Sequence, residues 1–276
     1  LLFAASTGIT VADGALNADA TALQSIYMTS VNVDSGSAAA GDWDGVTLGA
    51  NAGMSVLRHV FIDYGMGLSV DSSSPTVDAL TARNSGAGGL ALVNGASLST
   101  IDALLRFNQV GASVDDASSL TISGSVISTN VANATSGTGG TLMAEGNWWG
   151  FDQALDIDAT TSGPVDSSSF LTDKPLLTPA IGTLSGDTAV GTETVSLILA
   201  CRTADEMRVS EDSQFAGTFF DVFNRDLDFD LSEGAGVKTV FAEFKSSTGT
   251  INAAVMINIT LITDGPQIIS FSLSEG

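Results

Sequence analysis

A short sequence pattern repeats at near-regular intervals through the first half of this chain. A Gly-x-x-apolar segment begins every 22 residues, at Gly67, Gly89 and Gly111. Two further markers recur beside it, at the positions Ser55, Thr76, Thr100 and Thr121, and at the positions Asp63, Asn84, Asn108 and Asn130. A fixed period of this size is typical of stacked architectures in which each repeat is one structural unit. The repeat therefore predicts coils of short strands that stack into parallel sheets.

Local composition supports strands over helices. Gly, Ser, Thr, Ala and Asn are interleaved with short runs of Val, Ile and Leu, which favours short strands broken by turns. Val77, Ile101 and Ile122 are expected to point into a continuous apolar interior. Gly and Asn tolerate the left-handed backbone that a bend between strands requires. We expect Asn84 and Asn108, together with Asn130, to stack at such a bend and to hydrogen-bond from coil to coil.

Particular segments resemble a known family. Gly14–Ala18, Ile26–Ser30 and Gly41–Val46 lead into the regular coils, and this succession resembles the right-handed parallel β-helix family with the pectin-lyase-like superfold. The element Asn147-Trp148-Trp149-Gly150 resembles the closing coil of bacterial and archaeal surface β-helices. The resemblance implies an all-β fold with a β-helix over residues 1–173. Trp148 and Trp149 would plug its open end; a sugar-stacking platform is the alternative.

The second half has a different pattern. Pro164, Pro175 and Pro179 mark a boundary, and longer alternating strands follow. The strands are predicted at residues 194–199, 226–231, 238–244 and 257–262. The stretch Ala204–Ser210, with the later Gly236–Val240, resembles a bacterial immunoglobulin-like module, which implies a β-sandwich over residues 174–265. Residues 266–276 echo residues 179–186 and are predicted to begin another module or to pair with a neighbouring molecule.

Charge and hydropathy exclude some partners. The chain has 31 acidic and 9 basic residues and a net charge of −22. Such a charge repels nucleic acid and anionic lipid, so neither is expected as a partner. No continuous apolar run is long enough to span a bilayer, so no direct membrane insertion is expected in this segment. Cys201 is the sole cysteine, which leaves no internal disulfide and predicts a buried, inert thiol.

Two aspartates and two arginines are the nearest approach to a catalytic site. Asp78 and Asp102 follow Val77 and Ile101, so they are expected to stack about 5 Å apart. Arg83 and Arg106 recur in the same register. Enzymes that share the β-helix fold cleave acidic polysaccharides with stacked carboxylates, often with calcium, and with an Arg or Lys base, as the resemblance implies. The acidic surface disfavours uronic acid chains as substrates. The lone His59 is expected to be structural.

Calcium is the cofactor that one acidic strand would fit. Asp226, Asp228 and Asp230 project from one face of a strand, with Glu233 nearby, and calcium prefers flexible carboxylate oxygens. An exposed polar face above buried apolar residues explains the same alternation. Two triplets, Asn133-Ala-Thr and Asn258-Ile-Thr, match the N-glycosylation acceptor pattern.

The leading hypothesis is a non-catalytic, extracellular or cell-surface structural or adhesive protein. It would be a rigid stalk or filament subunit whose partners are other copies of itself. The residues predicted for self-association are Leu1, Leu2, Phe3, Ile268, Ile269, Phe271 and Leu273. Two alternatives remain: a secreted polysaccharide lyase or hydrolase, and a module that binds polysaccharide without cleaving it.

Overall fold

The structure is a computed structural model that describes residues 1–262, and their regular secondary structure is almost entirely β. The predicted strand at 266–276, with Ile268, Ile269, Phe271 and Leu273, lies outside the described residues. In the described part of the chain, no helix is long and apolar enough to cross a membrane.

The first part of the chain contains twenty strands and one short helix. They are β1 (Leu2–Phe3), β2 (Ile9–Asp13), β3 (Asn17–Asp19), β4 (Ile26–Ser30), β5 (Val46–Asn51), β6 (Val56–Arg58), β7 (Val60–Asp63), β8 (Leu68–Asp71), β9 (Thr76–Asp78), β10 (Thr81–Arg83), β11 (Gly88–Val93), β12 (Ser97–Ile101), β13 (Leu104–Arg106), β14 (Val110–Val114), β15 (Ser119–Ser123), β16 (Val126–Ser128), β17 (Ala132–Ser136), β18 (Thr141–Met143), α1 (Ala154–Asp158), β19 (Thr161–Ser162) and β20 (Val165–Asp166). We call β1–β20 the parallel unit.

The strands of the parallel unit form three stacked faces. Sheet A has the order β1-β4-β7-β10-β13-β16, and sheet B has the order β19-β17-β14-β11-β8-β5-β2. Sheet C consists of two segments, β3-β6-β9 and β12-β15-β18-β20. Successive strands of each face pair in parallel, so each complete coil contributes one strand to each face. The predicted stacking of coils into parallel sheets is present.

Rows of apolar side chains fill the space between the three faces. In sheet B, Val46, Leu68, Leu90, Ala112 and Ala134 are register partners in consecutive coils, and all are buried. Each coil therefore buries its apolar residues against the coils above and below, which is the source of stability in a stacked fold.

Ile101, predicted to lie in the core, instead faces solvent. Val77 and Ile122 are fully buried, as expected, but Ile101 is 52 % exposed. Thr100 is the register partner of Ile122 and takes the interior position. Neighbouring residues of a strand face opposite sides of the sheet. Aligning Ile101 with Ile122, one residue after the true partner Thr100, therefore exchanges the interior and exterior residues of this strand.

At two of the three corners of the regular coils, one residue has the left-handed conformation. From sheet C to sheet A these are His59, Ala79, Asp102 and Gly124, with φ between 50° and 58°. From sheet A to sheet B they are Tyr64, Asn84, Phe107 and Thr129, with φ between 53° and 59°. The chain thus uses the conformation that suits Gly and Asn mostly with other residue types. Each such residue carries a conformational cost of about 1–2 kcal/mol.

We expect Ala79→Gly to stabilise the protein by about 1 kcal/mol, because glycine adopts φ of 50° without the steric penalty of a Cβ. The free energy of unfolding in denaturant measures the change. Ala82→Gly is the control, because Ala82 lies inside β10 and is not among the left-handed residues. That control should lose about 1 kcal/mol. A loss of similar size in both variants would contradict the strain at this corner.

The predicted asparagine stack is present in part. Asn108 Nδ2 donates to Asn130 Oδ1 at 3.1 Å, and Asn130 Nδ2 donates to Asn133 Oδ1 at 3.1 Å. Asn84 does not join this stack: its Nδ2 donates to Asp63 Oδ1 at 2.8 Å. Ser85 occupies the stacked position instead, since the backbone N–H of Ser85 donates to Asn108 Oδ1.

The remaining strands form a second unit of two sheets. They are β21 (Ala180–Thr183), β22 (Ala189–Val190), β23 (Thr194–Ala200), β24 (Glu206–Ser210), β25 (Asp221–Val222), β26 (Asp226–Asp230), β27 (Gly236–Lys245) and β28 (Val255–Leu261). One sheet has the order β21-β23-β26 and the other β22-β28-β27-β24-β25; all pairs are antiparallel except β22 with β28. Leu197, Leu199, Val240, Phe244 and Ile259 are buried in its core. We call β21–β28 the antiparallel unit.

Candidate functional site

Sheet A presents a second apolar row on its outer surface. Tyr27, Phe61, Thr81, Leu104 and Val126 are register partners in successive coils. The residues that follow them in the last four strands point into the core. Three of the five outward residues, namely Thr81, Leu104 and Val126, are nevertheless buried. Burial on the outer face means that another part of the chain covers this surface.

The segment that leads into the antiparallel unit covers one end of this row. Leu177 is buried in a cluster with Leu104 and Val126, and Trp148 packs against the same cluster. This placement corrects the prediction for the tryptophan pair. Trp149 is fully buried in the main core of the parallel unit. Trp148 instead lies on the outer surface of sheet A against this cluster, so it does not close the end of the coils.

Arg202, in the antiparallel unit, binds two consecutive corners of the parallel unit. Its Nη1 donates to Ala79 O at 2.9 Å, to Leu80 O at 3.1 Å and to Thr81 Oγ1 at 2.9 Å. Its Nη2 donates to Asp102 O. Burial lowers the pKa of Arg202 to about 10, so the guanidinium stays charged at neutral pH. This one side chain satisfies the corner carbonyls of Ala79 and Asp102, and it adds a second bond to Leu80 O, which also accepts from Leu104 N at 2.8 Å.

Two titratable residues, His59 and Asp102, occupy corners from sheet C to sheet A near Arg202. Burial lowers the pKa of His59, and the nearby Arg202 lowers it further. Burial raises the pKa of Asp102, while Arg202 opposes that rise and Asp78 adds to it. His59 Nδ1 is buried and makes no hydrogen bond to any described residue. The interface therefore accommodates neutral His59 better than charged His59.

We expect stability to fall as the pH decreases below about 6.5, the ordinary pKa of histidine. The folded pKa of His59 is lowered, so the unfolded chain binds more protons in this window and acid favours unfolding. Arg202, Arg58, Asp102 and Asp19 are the charges that act on it. The raised pKa of Asp102 acts in the opposite direction, but in the window just above its ordinary 3.8.

The slope is at most about 1.4 kcal/mol per pH unit, and solvent screening reduces it because His59 is only partly buried. His59→Asn is the test variant, since asparagine tolerates the left-handed corner and does not titrate. Denaturant unfolding between pH 7 and pH 5 should show a flatter profile for the variant. Parallel profiles for both proteins would refute a role for His59.

A second contact between the units surrounds a small cleft. A Cβ built on Gly182 would lie 2.7 Å from Leu23 Cδ1, and Arg225 Nη2 donates to Leu23 O at 3.4 Å. Beside this contact, a cleft of about 200 Å³ is lined by Arg225 and by the rings of Tyr27 and Phe61. Those two rings stack with centroids 4.3 Å apart. No aspartate or glutamate of the described chain lines the cleft, despite the acidic composition.

The four catalytic candidates do not form one site: Asp78 and Asp102 do not stack, and neither pairs with Arg83 or Arg106. The bond from Ala79 N to Ile101 O places Asp102 level with Ala79, so Asp102 does not stack on Asp78 as expected. Asp78 forms an ion pair with Arg58 at 3.7 Å. Arg83 and Arg106 end β10 and β13, so they lie about 10 Å along the strands from the two aspartates.

The two arginines have other partners at that far end. Arg83 Nε pairs with Asp63 Oδ2 at 2.8 Å. Arg106 Nε donates to Thr129 Oγ1 at 3.5 Å, and its guanidinium lies over the Phe107 ring. Within residues 1–262, neither arginine therefore forms an ion pair with Asp78 or Asp102.

The acidic strand β26 uses its carboxylates in other bonds. Asp230 accepts from Thr194 Oγ1 at 2.6 Å, Asp228 accepts from Ser196 Oγ at 2.7 Å, and Asp226 pairs with Arg225 at 2.9 Å. Glu233 contributes its backbone carbonyl to Lys238 Nζ. Within residues 1–262, no group of three or more His, Cys, Asp or Glu side chains is arranged to hold a metal ion. The polar-face explanation of this alternation agrees with these bonds.

The predicted self-association residues at the first strand differ in exposure. Leu1 and Leu2 are exposed, whereas Phe3 is partly buried and stacks on Trp43 with ring centroids 4.4 Å apart. Cys201 is buried, and burial raises its thiol pKa, as expected for an inert cysteine.

Sequence reasoning missed Arg202, Leu177 and the outward row. One signal was present: Phe61-Ile62, Leu104-Leu105 and Val126-Ile127 are adjacent apolar pairs, which indicate a strand covered on both faces. No protein-family model matches this chain, and no curated protein or solved structure matches it.

Proposed function

We propose that this chain is a non-catalytic, extracellular structural or adhesive protein whose two units act as one rigid body. In this proposal the parallel unit is a right-handed parallel β-helix of the pectin-lyase-like superfold (residues 1–173). The antiparallel unit is an immunoglobulin-like sandwich (residues 174–265). The acidic composition suits a protein that works at a hydrated surface.

The observation that carries the proposal is the hydrogen bonding of Arg202. Its guanidinium binds three carbonyls and one hydroxyl on two coils of the parallel unit. Arginine presents its donors in a rigid fork, so several bonds to fixed acceptors restrict both position and angle. Interfaces between domains are mobile by default unless they are large and apolar. The buried cluster around Leu177 adds the apolar contact that such an interface needs.

The expected rigidity can be measured with spin labels on both units. Met54→Cys and Val222→Cys place labels at exposed sites, in a Cys201→Ala background. The wild-type interface should give one narrow distance distribution. Leu177→Asp buries a charge beside Leu104 and Val126, so it should broaden the distribution, whereas the exposed Leu184→Asp should not. A broad distribution without any interface substitution would refute the proposal.

Contact between copies of the chain is the second part of the proposal. Its support is the exposure of Leu2, which begins the first strand of sheet A, and of the preceding Leu1. Sedimentation velocity should show concentration-dependent assembly that Leu2→Asp abolishes. Leu155→Asp is the matched control, because Leu155 is also exposed but lies on α1. Equal assembly of both variants would exclude this surface.

The second candidate is a module that binds polysaccharide without cleaving it. Its support is the cleft with the stacked Tyr27 and Phe61 rings, because aromatic faces beside a few polar groups are common in ligand sites at domain interfaces. Titration calorimetry with a panel of polysaccharides tests this candidate. Binding that Phe61→Ala weakens, with no release of reducing or unsaturated sugar, would favour it over the structural role.

A further inference from the structure

The two N-glycosylation triplets have opposite environments. Asn133 is 1 % exposed and belongs to the asparagine stack. Its Nδ2, the atom that a glycan would modify, donates to Trp149 O at 3.3 Å and to Thr160 Oγ1 at 3.0 Å. A glycan on this nitrogen would break both bonds and open the core. The folded chain therefore cannot carry a sugar at Asn133.

Asn258 is presented to solvent. It lies in β28, where residues alternate between the core and the outer surface, so Ile259 is buried and Asn258 and Thr260 are exposed on the same face. Thr239 Oγ1 donates to Asn258 Oδ1 at 2.9 Å, which orients the amide. Asn258 Nδ2 makes no hydrogen bond to any described residue. The reactive nitrogen and the acceptor threonine are thus accessible together.

Exposed apolar side chains flank Asn258 on this sheet face. Met256 is 62 % exposed and Val237 is 66 % exposed. Met256 lies two residues before Asn258 in β28, and Val237 lies opposite Thr260 in β27. These two side chains therefore place apolar surface beside Asn258 on the exposed face of the sheet. The carbon faces of a sugar attached at Asn258 would lie over these two side chains.

We propose that Asn258 is an N-glycosylation site and that its glycan covers the outer surface of β27 and β28. The donor would be an oligosaccharide linked through phosphate or pyrophosphate to a polyprenyl lipid. Asn258 Nδ2 forms a bond to the anomeric carbon as the bond from that carbon to the phosphate oxygen breaks. The amide loses one proton to a base of the transferase, and the lipid phosphate is released. This inference rests on the extracellular location in the proposed function.

The test is secretion of the full chain from a host whose oligosaccharyltransferase modifies a reporter protein in the same culture. Intact mass and peptide mapping should show one glycan, at Asn258. Asn258→Gln and Thr260→Ala should abolish it, and Thr260→Ser should retain it because serine preserves the acceptor pattern. Thr135→Ala, which removes the other triplet without touching the asparagine stack, should leave the glycan in place.

Secreted, folded protein of unmodified mass would overturn the inference, as would a glycan that survives in Asn258→Gln. The result is separable from the spin-label test of rigidity. A narrow distance distribution with no glycan defeats the glycosylation site alone. A broad distribution with the glycan present defeats the rigid-body proposal alone.

Discussion

Arg202→Met is expected to lower the free energy of unfolding by about 3 kcal/mol and to separate the unfolding of the two units. The substitution keeps an apolar stem but removes the guanidinium that donates to the carbonyls of Ala79, Leu80 and Asp102. The carbonyls of Ala79 and Asp102 then face the interface without this partner, whereas Leu80 O keeps its bond from Leu104 N. Hydrogen bonds to a charged donor contribute about 1.5–3 kcal/mol each at most. Calorimetry should show one transition in the wild type and two in the variant.

Two further variants decide whether the hydrogen bonds of Arg202 or its charge accounts for the loss of stability in Arg202→Met. Arg202→Lys keeps the charge but replaces the planar fork with a single ammonium, so we expect about half of the loss. Arg225→Met removes an exposed guanidinium whose ion pair with Asp226 is solvated and whose single bond across the interface, to Leu23 O, is long at 3.4 Å, so it should change stability by less than about 0.5 kcal/mol. If Arg202→Met behaved like Arg225→Met, the corner contacts would not hold the units together.

Trp149→Ala is expected to cost about 3–5 kcal/mol and to loosen the C-terminal end of the parallel unit. Trp149 is fully buried, and Ile157 of α1 belongs to the same core. Removing the indole leaves a cavity that the last coils cannot fill, and such cavities cost this much for large aromatics. Hydrogen exchange should accelerate in β18, β19 and β20, while the first coils keep their protection.

Trp148→Ala is the matched control for this cavity. Trp148 is only partly buried and packs on Leu177, so its loss should cost less and should widen the distribution of distances between labels on the two units. Trp149→Phe should also cost less than alanine. It keeps most of the ring and removes the indole N–H, which has no hydrogen-bond partner among the described residues. Equal losses for Trp148→Ala and Trp149→Ala would mean that both rings serve the core.

The parallel stacking was predictable because its cause is local and repeated. A short strand, one left-handed corner and a return to the same face in the next coil leave a periodic pattern in the amino-acid sequence. The same pattern does not define the register to the residue. Thr100 and Ile101 are both compatible with a strand. Thr100 pairs with the buried Ile122 of the next coil, so the side chain of Thr100 faces the interior and that of Ile101 faces solvent.

The four catalytic candidates do not converge, and the reason is related. Counting along the chain aligns Asp78 with Asp102, whereas a shift of one residue at the corner between β12 and β13 places Asp102 level with Ala79 and removes their stacking. Arg83 and Arg106 were in the correct register with each other but at the wrong end of their strands. Sequence spacing measures distance along the chain, whereas a site depends on distance between side chains.

Strand positions, coil period, the apolar interior and the change of pattern near Pro175 follow from residues close together in the chain. Their physical basis is the alternation of side chains and the backbone preferences of neighbouring residues. The interface follows from contacts that no local pattern records, because Arg202 binds Ala79 and Leu177 packs on Leu104 across long stretches of intervening chain. Such contacts form only when the antiparallel unit packs on the outer face of sheet A, so only the folded chain reveals them.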